Sequence, residues 1–149
     1  MKIRIDIDEN LREPEVVLRG SADDVAKLQN AILAVSRTQQ KLNLVRDGRD
    51  FFVPTANLLF FESVDGKTWA HTAQNIYETR ARLYELEQIL PPFFARCSKS
   101  AILNTRQVWS IRRNLAGPSV VNFRGSNKQI SLSRSFYKSL IERINANNF

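Results

Sequence analysis

The chain has little of what disulfide-stabilised, zinc-binding or membrane proteins need. Its 149 residues include one cysteine, Cys97, and one histidine, His71, so an intramolecular disulfide and a Cys/His zinc cluster are both excluded. No apolar run approaches the roughly 20 residues of a membrane span. The N-terminus alternates charged and apolar residues and lacks the continuous apolar stretch of a signal peptide. We therefore expect a cytoplasmic protein.

Catalytic motifs are missing as well. The sequence contains no Gly-rich phosphate loop, nucleophile elbow or metal-ligand spacing. The solitary His71 has no Cys, Ser or acid at a recognisable triad spacing. It follows Trp69 by two residues in a predicted strand and should share its face. We predict no enzymatic activity, no cofactor and no small-molecule substrate.

Acidic residues are almost absent from the last third of the chain. Between residues 91 and 149, one acid, Glu142, stands against ten basic residues, whereas residues 1–90 carry a net charge of −2. Charge confined in this way favours a polyanionic partner, above all nucleic acid, because each basic side chain that neutralises a phosphate releases condensed counterions. The alternative is a well-solvated basic surface.

The first 40 residues read as a small β-β-α unit. The alternation Ile3–Ile7 and the apolar run Val16–Leu18 predict a hairpin. Ser21 is expected to cap a following helix, whose apolar face runs over Val25–Val35. So short a unit cannot bury a core of its own. We expect residues 1–40 to dock on the rest of the chain or to mediate dimerisation.

Residues 41–149 form the second predicted domain, which is mainly β. Asp47–Gly48 and Asp65–Gly66 each separate two apolar runs, and Asp-Gly predicts a hairpin because both central positions of a type I′ turn require positive φ. A third hairpin is predicted over Val120–Leu132.

Two helices and one irregular run complete this domain. Apolar spacing predicts a helix over Thr79–Leu90 and a last helix from Ser133. The run Phe93–Asn104 fits neither period and reads as a loop entering a strand. We expect core positions, rather than platforms on which bases stack, for Trp69, Phe93, Phe94 and Trp109.

Four blocks in order carry a family resemblance. They are Leu59-Phe60-Phe61-Glu62-Ser63, a short helix ending Leu83-Tyr84-Glu85-Leu86-Glu87, Phe94-Ala95-Arg96-Cys97-Ser98-Lys99-Ser100-Ala101-Ile102-Leu103-Asn104, and Leu132-Ser133-Arg134-Ser135-Phe136. Over about Leu42 to Ile144, the chain resembles the LytTR family of DNA-binding domains in bacterial transcription regulators.

The resemblance implies a fold of small antiparallel sheets with short helices, whose loops insert into successive major grooves of DNA. It also implies contacts from Lys67 or the neighbouring Gly66, from Lys99 with Ser98 beside it, and from Arg134. Lys and Arg side chains can donate to O6 and N7 of guanine, and both can equally hold phosphate.

The remaining basic candidates are less specific. Arg112, Arg113 and Lys128 are assigned to the phosphate backbone. Arg96 is either a DNA contact or an internal ion-pair residue. Asn104 is expected to fix a loop rather than to contact DNA.

Many members of the family place a phosphorylatable receiver domain before the DNA-binding part, whereas about 40 residues precede it here. The resemblance is therefore to stand-alone members, which often work beside a small membrane protein. We predict a sequence-specific transcription regulator that binds double-stranded DNA as a homodimer. The alternative is a non-catalytic module whose basic face binds RNA or an anionic membrane surface.

Overall fold

The computed structural model describes residues 1–38 and 40–146. The chain divides into two compact units, Met1–Ile32 and Leu33–Phe149. Within the described ranges, no helix combines the length and the hydrophobicity that a membrane crossing requires. The last three residues of the predicted second domain lie outside the described residues.

The N-terminal helix was predicted correctly. It is α1 (Ala22–Thr38). The Ser21 hydroxyl oxygen accepts from the Asp24 amide at 3.2 Å and donates to the Asp24 carboxylate at 2.6 Å. Ser21 thus satisfies one of the amides that every helix start leaves without an intrahelical partner.

The hairpin predicted before α1 is wrong, because residues 1–20 contain no strand pairing. Two registers would align two of the isoleucines with Val16 and Leu18. In both of them like charges lie directly opposite each other, which destabilises a ladder. The like-charged pairs are Lys2–Arg19 and Asp6–Glu15 in the first register, and Arg4–Arg19 and Asp8–Glu15 in the second.

The C-terminal unit is mainly antiparallel β. Among its described residues, one sheet has seven strands in the order β2-β1-β5-β4-β3-β7-β6. The strands are β1 (Lys41–Arg46), β2 (Arg49–Pro54), β3 (Leu58–Val64), β4 (Lys67–Thr72), β5 (Ile76–Thr79), β6 (Phe94–Ser98) and β7 (Ala101–Asn104). Both Asp-Gly hairpins are confirmed, with φ of 50° and 70° at Asp47 and Gly48 and of 52° and 77° at Asp65 and Gly66.

A second, smaller sheet has the order β10-β9-β8. Its strands are β8 (Val108–Arg112), β9 (Ser119–Phe123) and β10 (Gln129–Leu132). The third predicted hairpin is therefore confirmed as β9–β10. Two further helices are α2 (Leu83–Ile89) and α3 (Arg134–Ala146), and the predicted start of the last helix is correct.

Two segments depart from their predicted structure. Residues 76–79 are strand β5, which pairs with β4 and β1, so α2 begins at Leu83 and not at Thr79. The run Phe93–Asn104 contains the hairpin β6–β7. Its register shifts between Arg96 and Ser98, and this bulge breaks the two-residue alternation that would have revealed the strands.

The two faces of the large sheet are covered by different layers. Phe61 and Leu44 belong to one core, which α2 closes with Leu86. Phe60 belongs to the other, which the small sheet and α3 close. Neighbouring residues of β3 thus serve opposite cores, as the alternation of a strand dictates.

The prediction of core positions is confirmed for Phe93 and Phe94. It is wrong for the two tryptophans, since Trp69 is only partly buried and Trp109 is 68% exposed. Trp109 lies on β8, which is an edge strand of the small sheet and is irregular between Val108 and Ser110. The indole instead packs under the Arg124 guanidinium, 5.0 Å from the ring centroid.

Candidate nucleic-acid interface

Sheet register brings two turns of the large sheet together. Strand β3 pairs with β7, with Glu62 opposite Ala101. Just beyond this pair, the Ser63 amide donates to the Ser100 carbonyl at 2.8 Å. The β3–β4 turn and the β6–β7 turn, which holds Lys99, therefore lie at the same end of the sheet.

The start of α3 reaches the same end. The Ser133 amide donates to the Cys97 carbonyl at 2.9 Å, so Arg134 begins its helix beside Ser98. Asn104 fixes the other end of β7, as predicted: its side chain donates to the Leu58 carbonyl at 2.9 Å and accepts from the Arg106 amide at 3.0 Å.

The end of β8 and the loop after it add two more basic residues. The Arg134 guanidinium donates to the Leu115 carbonyl at 2.7 Å, which ties this loop to the start of α3. Arg113 lies over the ring of Tyr137 at 5.1 Å. Arg112 ends β8, and both arginines are exposed. We call this end of the unit the loop face, formed by Lys67, Ser98, Lys99, Arg112, Arg113 and Arg134.

Lys67 is available for a ligand at the loop face. Its side chain is 59% exposed, and its ammonium lies 3.8 Å from the Glu78 carboxylate and 5.9 Å from the centroid of the Trp69 ring. An exposed ion pair of this length contributes little to stability. The ammonium can therefore exchange Glu78 for a phosphate or a base edge at low cost.

Arg96 adopts the internal role of the two that the sequence allowed. Its side chain is 24% exposed and forms an ion pair with the Glu87 carboxylate of α2. The same guanidinium donates to the Lys99 carbonyl at 2.7 Å. Arg96 thus holds the backbone of the turn that carries Lys99, and we assign it a positioning role.

Lys128 is not brought to the loop face. It precedes β10, at the end of that strand farther from Arg134. Its ammonium donates to the Asn75 carbonyl at 2.9 Å and lies 3.4 Å from Nδ1 of His71. Burial lowers the pKa of Lys128, and its contacts serve the junction between the two sheets.

His71 is held between opposite charges. Its Nε2 lies 2.8 Å from Oε1 of Glu62, and its ring stacks on Phe60 at 4.2 Å. Because the Lys128 ammonium can only donate, Nδ1 must accept and the proton must sit on Nε2. Burial is the main cause that lowers the pKa of His71 from 6.5, and the positive charge of Lys128 lowers it further, against the opposing effect of Glu62.

This lowered pKa predicts a loss of stability in acid. The unfolded chain binds a proton at His71 near pH 6.5, whereas the folded chain binds it only at lower pH. The contribution of neutral His71 is therefore fully present above pH 6.5 and is lost as the pH falls through the folded pKa. Urea unfolding across this range should show the free energy of unfolding declining, and His71→Gln should make the decline shallower. An equally steep decline in the variant would contradict this assignment.

A further basic residue, Arg80, lies at the loop face, and the distribution of charge along the sequence did not predict it. Thr79 lies opposite Thr68, so the exposed Arg80 follows at the end of the sheet that carries Lys67. Nothing in the sequence marked it, because residues 1–90 are net negative as a whole. Only the pairing of β5 with β4 places it there.

Comparison with known proteins gives consistent findings. The family model described as the LytTr DNA-binding domain matches residues 48–145. Uncharacterized HTH-type transcriptional regulators from Staphylococcus aureus strains MRSA252 and N315 are each 25% identical over 146 residues, which cover 97% of this chain and 98% of the relative. A solved LytTr DNA-binding domain from Bacillus cereus superposes with a TM-score of 0.63 at 22% identity, covering 74% of this chain and 98% of that one.

Proposed function

Because this chain belongs to the LytTr DNA-binding domain family, we propose that it is a transcription regulator that recognises a specific duplex with its loop face. The observation that carries this proposal is the convergence of Lys67, Lys99 and Arg134. Three separate segments bring these side chains to one end of the unit, through the Ser63–Ser100 and Ser133–Cys97 hydrogen bonds. Three segments on one face can contact the duplex at separate points along a groove.

We assign base reading to Lys99 and Arg134, with Lys67 and Ser98 as further contacts in the major groove. Arg134 begins a helix, where its charge opposes the helix dipole. A locally unfavourable choice of this kind is expected at a functional position. Arg112 and Arg113, together with Arg80, are assigned to phosphates, since they flank the central side chains.

Groove reading by loops is favoured over reading by a recognition helix. The relatives are named HTH-type regulators, but among residues 1–38 and 40–146 every two successive helices are separated by several strands. A helix-turn-helix needs two helices joined by a short turn. The turns at the loop face are therefore the elements we propose to enter the DNA.

The N-terminal segment is proposed to hold two copies together. It forms a compact unit of its own, Met1–Ile32, and leaves much apolar surface exposed. Two linked DNA-binding units would bind a two-site operator more tightly, because the second contact is made at a high effective concentration.

We expect the purified protein to bind one duplex near its own promoter in preference to random duplex, with an affinity that falls steeply with salt. About three to five phosphate contacts per protomer predict a slope of roughly −3 to −4.5 in log K against log salt concentration. Fluorescence anisotropy with promoter fragments measures both quantities. Equal affinity for every duplex at low salt would exclude sequence-specific recognition and leave a binder of polyanions, and titrations with RNA and with anionic vesicles would then identify its ligand.

A further inference from the structure

Exposed apolar side chains form a strip at the start of the N-terminal unit, and such a strip is unfavourable in a monomer. Ile3, Ile5 and Ile7 are 77%, 79% and 88% exposed. The backbone groups of residues 2–7 make no hydrogen bond to other described residues. Exposed isoleucines along a backbone with free N–H and C=O groups form an edge on which another strand can pair.

The residues between these isoleucines carry an ordered set of charges. The sequence Lys2-Ile3-Arg4-Ile5-Asp6-Ile7-Asp8 places two cations before two anions on the polar positions. The Arg4 guanidinium lies 3.5 Å from the Asp6 carboxylate, so these two side chains lie on the same side of the segment, as residues two apart in an extended chain do.

We propose that residues 2–8 of two copies pair as antiparallel β-strands about a twofold axis at Ile5. In this register Lys2 faces the partner's Asp8, Arg4 faces the partner's Asp6, Ile3 faces the partner's Ile7, and Ile5 faces itself. The two halves of the segment are thus complementary to each other. This inference rests on the proposed dimer and names the surface that forms it.

Competing arrangements are less favourable. Parallel in-register pairing would place each charge beside its own kind, and the two intramolecular registers considered above also oppose like charges. The antiparallel pair instead gives four opposite-charge contacts per dimer, each of which stabilises a sheet. Isoleucine also favours a paired strand.

The helix can supply the cover that two strands alone would lack. An isolated two-stranded ribbon is only marginally stable in water. A crevice of about 820 Å³ runs between the segment and α1, lined by Ile3, Val16, Leu28 and Ile32. In the paired state the isoleucine face of the ribbon has apolar residues of both helices to pack against.

Cysteine cross-linking on the full chain tests the register. Residues opposite each other in an antiparallel pair are close enough for a disulfide, whereas Ile3 and the partner's Ile3 are separated by about 13 Å along the strands. Ile5→Cys alone should therefore cross-link under mild oxidation. Ile3→Cys and Ile7→Cys should each fail alone but cross-link when mixed. Background from Cys97 is small, because burial raises the pKa of this thiol to about 12.

Charge exchange provides a second measurement. Arg4→Asp puts Asp opposite Asp at two places per dimer, so the dimer dissociation constant in sedimentation should rise about tenfold or more. Adding Asp6→Arg should restore the dimer. Arg12→Asp makes the same change in net charge at an exposed residue outside both the segment and the crevice, and should leave the dimer intact.

The outcomes distinguish the proposed register of the two strands from dimerisation as such. A wild-type protein that sediments as a monomer would overturn both. A wild-type dimer in which all three single cysteine variants cross-link equally, or none does, would overturn the antiparallel register alone. If Arg12→Asp and Arg4→Asp weaken the dimer equally, the effect depends on net charge alone, and the antiparallel register would likewise be overturned.

Discussion

Replacing Arg134 with alanine is expected to reduce the preference for operator over random duplex by about 1 to 3 kcal/mol, which is roughly fivefold to 150-fold. The side chain is exposed at the start of α3, and within the described chain its guanidinium donates a hydrogen bond to the Leu115 carbonyl. A guanidinium in this position can present two donors to a guanine edge. The same loss is expected for Lys99→Ala, with both affinities measured at one fixed salt concentration.

Two controls separate base reading from phosphate binding. Arg112→Ala should weaken operator and random duplex in the same proportion and make the salt slope shallower by about one. Lys128→Ala should leave both affinities unchanged, because Lys128 is engaged with Asn75 and His71 away from the loop face. A proportional loss with Arg134→Ala would show that Arg134 grips the backbone and does not read bases. Circular dichroism should confirm that each variant is folded.

Phe61→Ala is expected to lower the free energy of unfolding by about 3 to 5 kcal/mol. Phe61 is fully buried on β3, an inner strand of the large sheet, and its ring lies 5.9 Å from that of Phe94 on β6. Removing it leaves a cavity between the sheet and α2 that the surrounding strands cannot fill by small movements. Urea unfolding of both proteins measures the difference.

A matched control exists in the same sheet. Phe52 lies on β2 and is 67% exposed, so Phe52→Ala removes the same atoms from a position that leaves little cavity. Its effect should stay within about 0.5 kcal/mol. Similar losses for the two variants would contradict the placement of Phe61 in the core. Because β3 carries one turn of the loop face at its end, Phe61→Ala should also weaken operator binding at temperatures where part of the protein unfolds.

Features set by neighbouring residues were predictable from the sequence. The Asp-Gly turns were found because only a few residues tolerate positive φ, and α1 was found from its cap and its apolar period. The hairpin β6–β7 was not found, since its bulge breaks the alternation on which strand prediction depends. The N-terminal hairpin failed for another reason: its apolar pattern was adequate, but the charges across the two registers conflict.

The same distinction between local and long-range information applies to the candidate site. Lys67, Lys99 and Arg134 were named from the family resemblance, which identifies positions along the chain. Their convergence depends on β3 pairing with β7 and on a hydrogen bond from Ser133 to Cys97. Local sequence patterns predict neither of these long-range contacts. For the same reason the sequence did not predict that Arg80 lies at the loop face. It also grouped Lys128 with Arg112 and Arg113, although Lys128 lies away from that face.

The placement of the reading residues has an evolutionary consequence. Lys67 begins a strand directly after a turn, Lys99 lies in a turn and Arg134 begins a helix. All three side chains lie outside both cores. The backbone beneath them is fixed by hydrogen bonds that do not depend on those side chains. A substitution at any of the three positions therefore alters the surface offered to DNA while the packing that folds the chain is retained. Descendants of one ancestral gene can acquire new operators one residue at a time and inherit the scaffold unchanged.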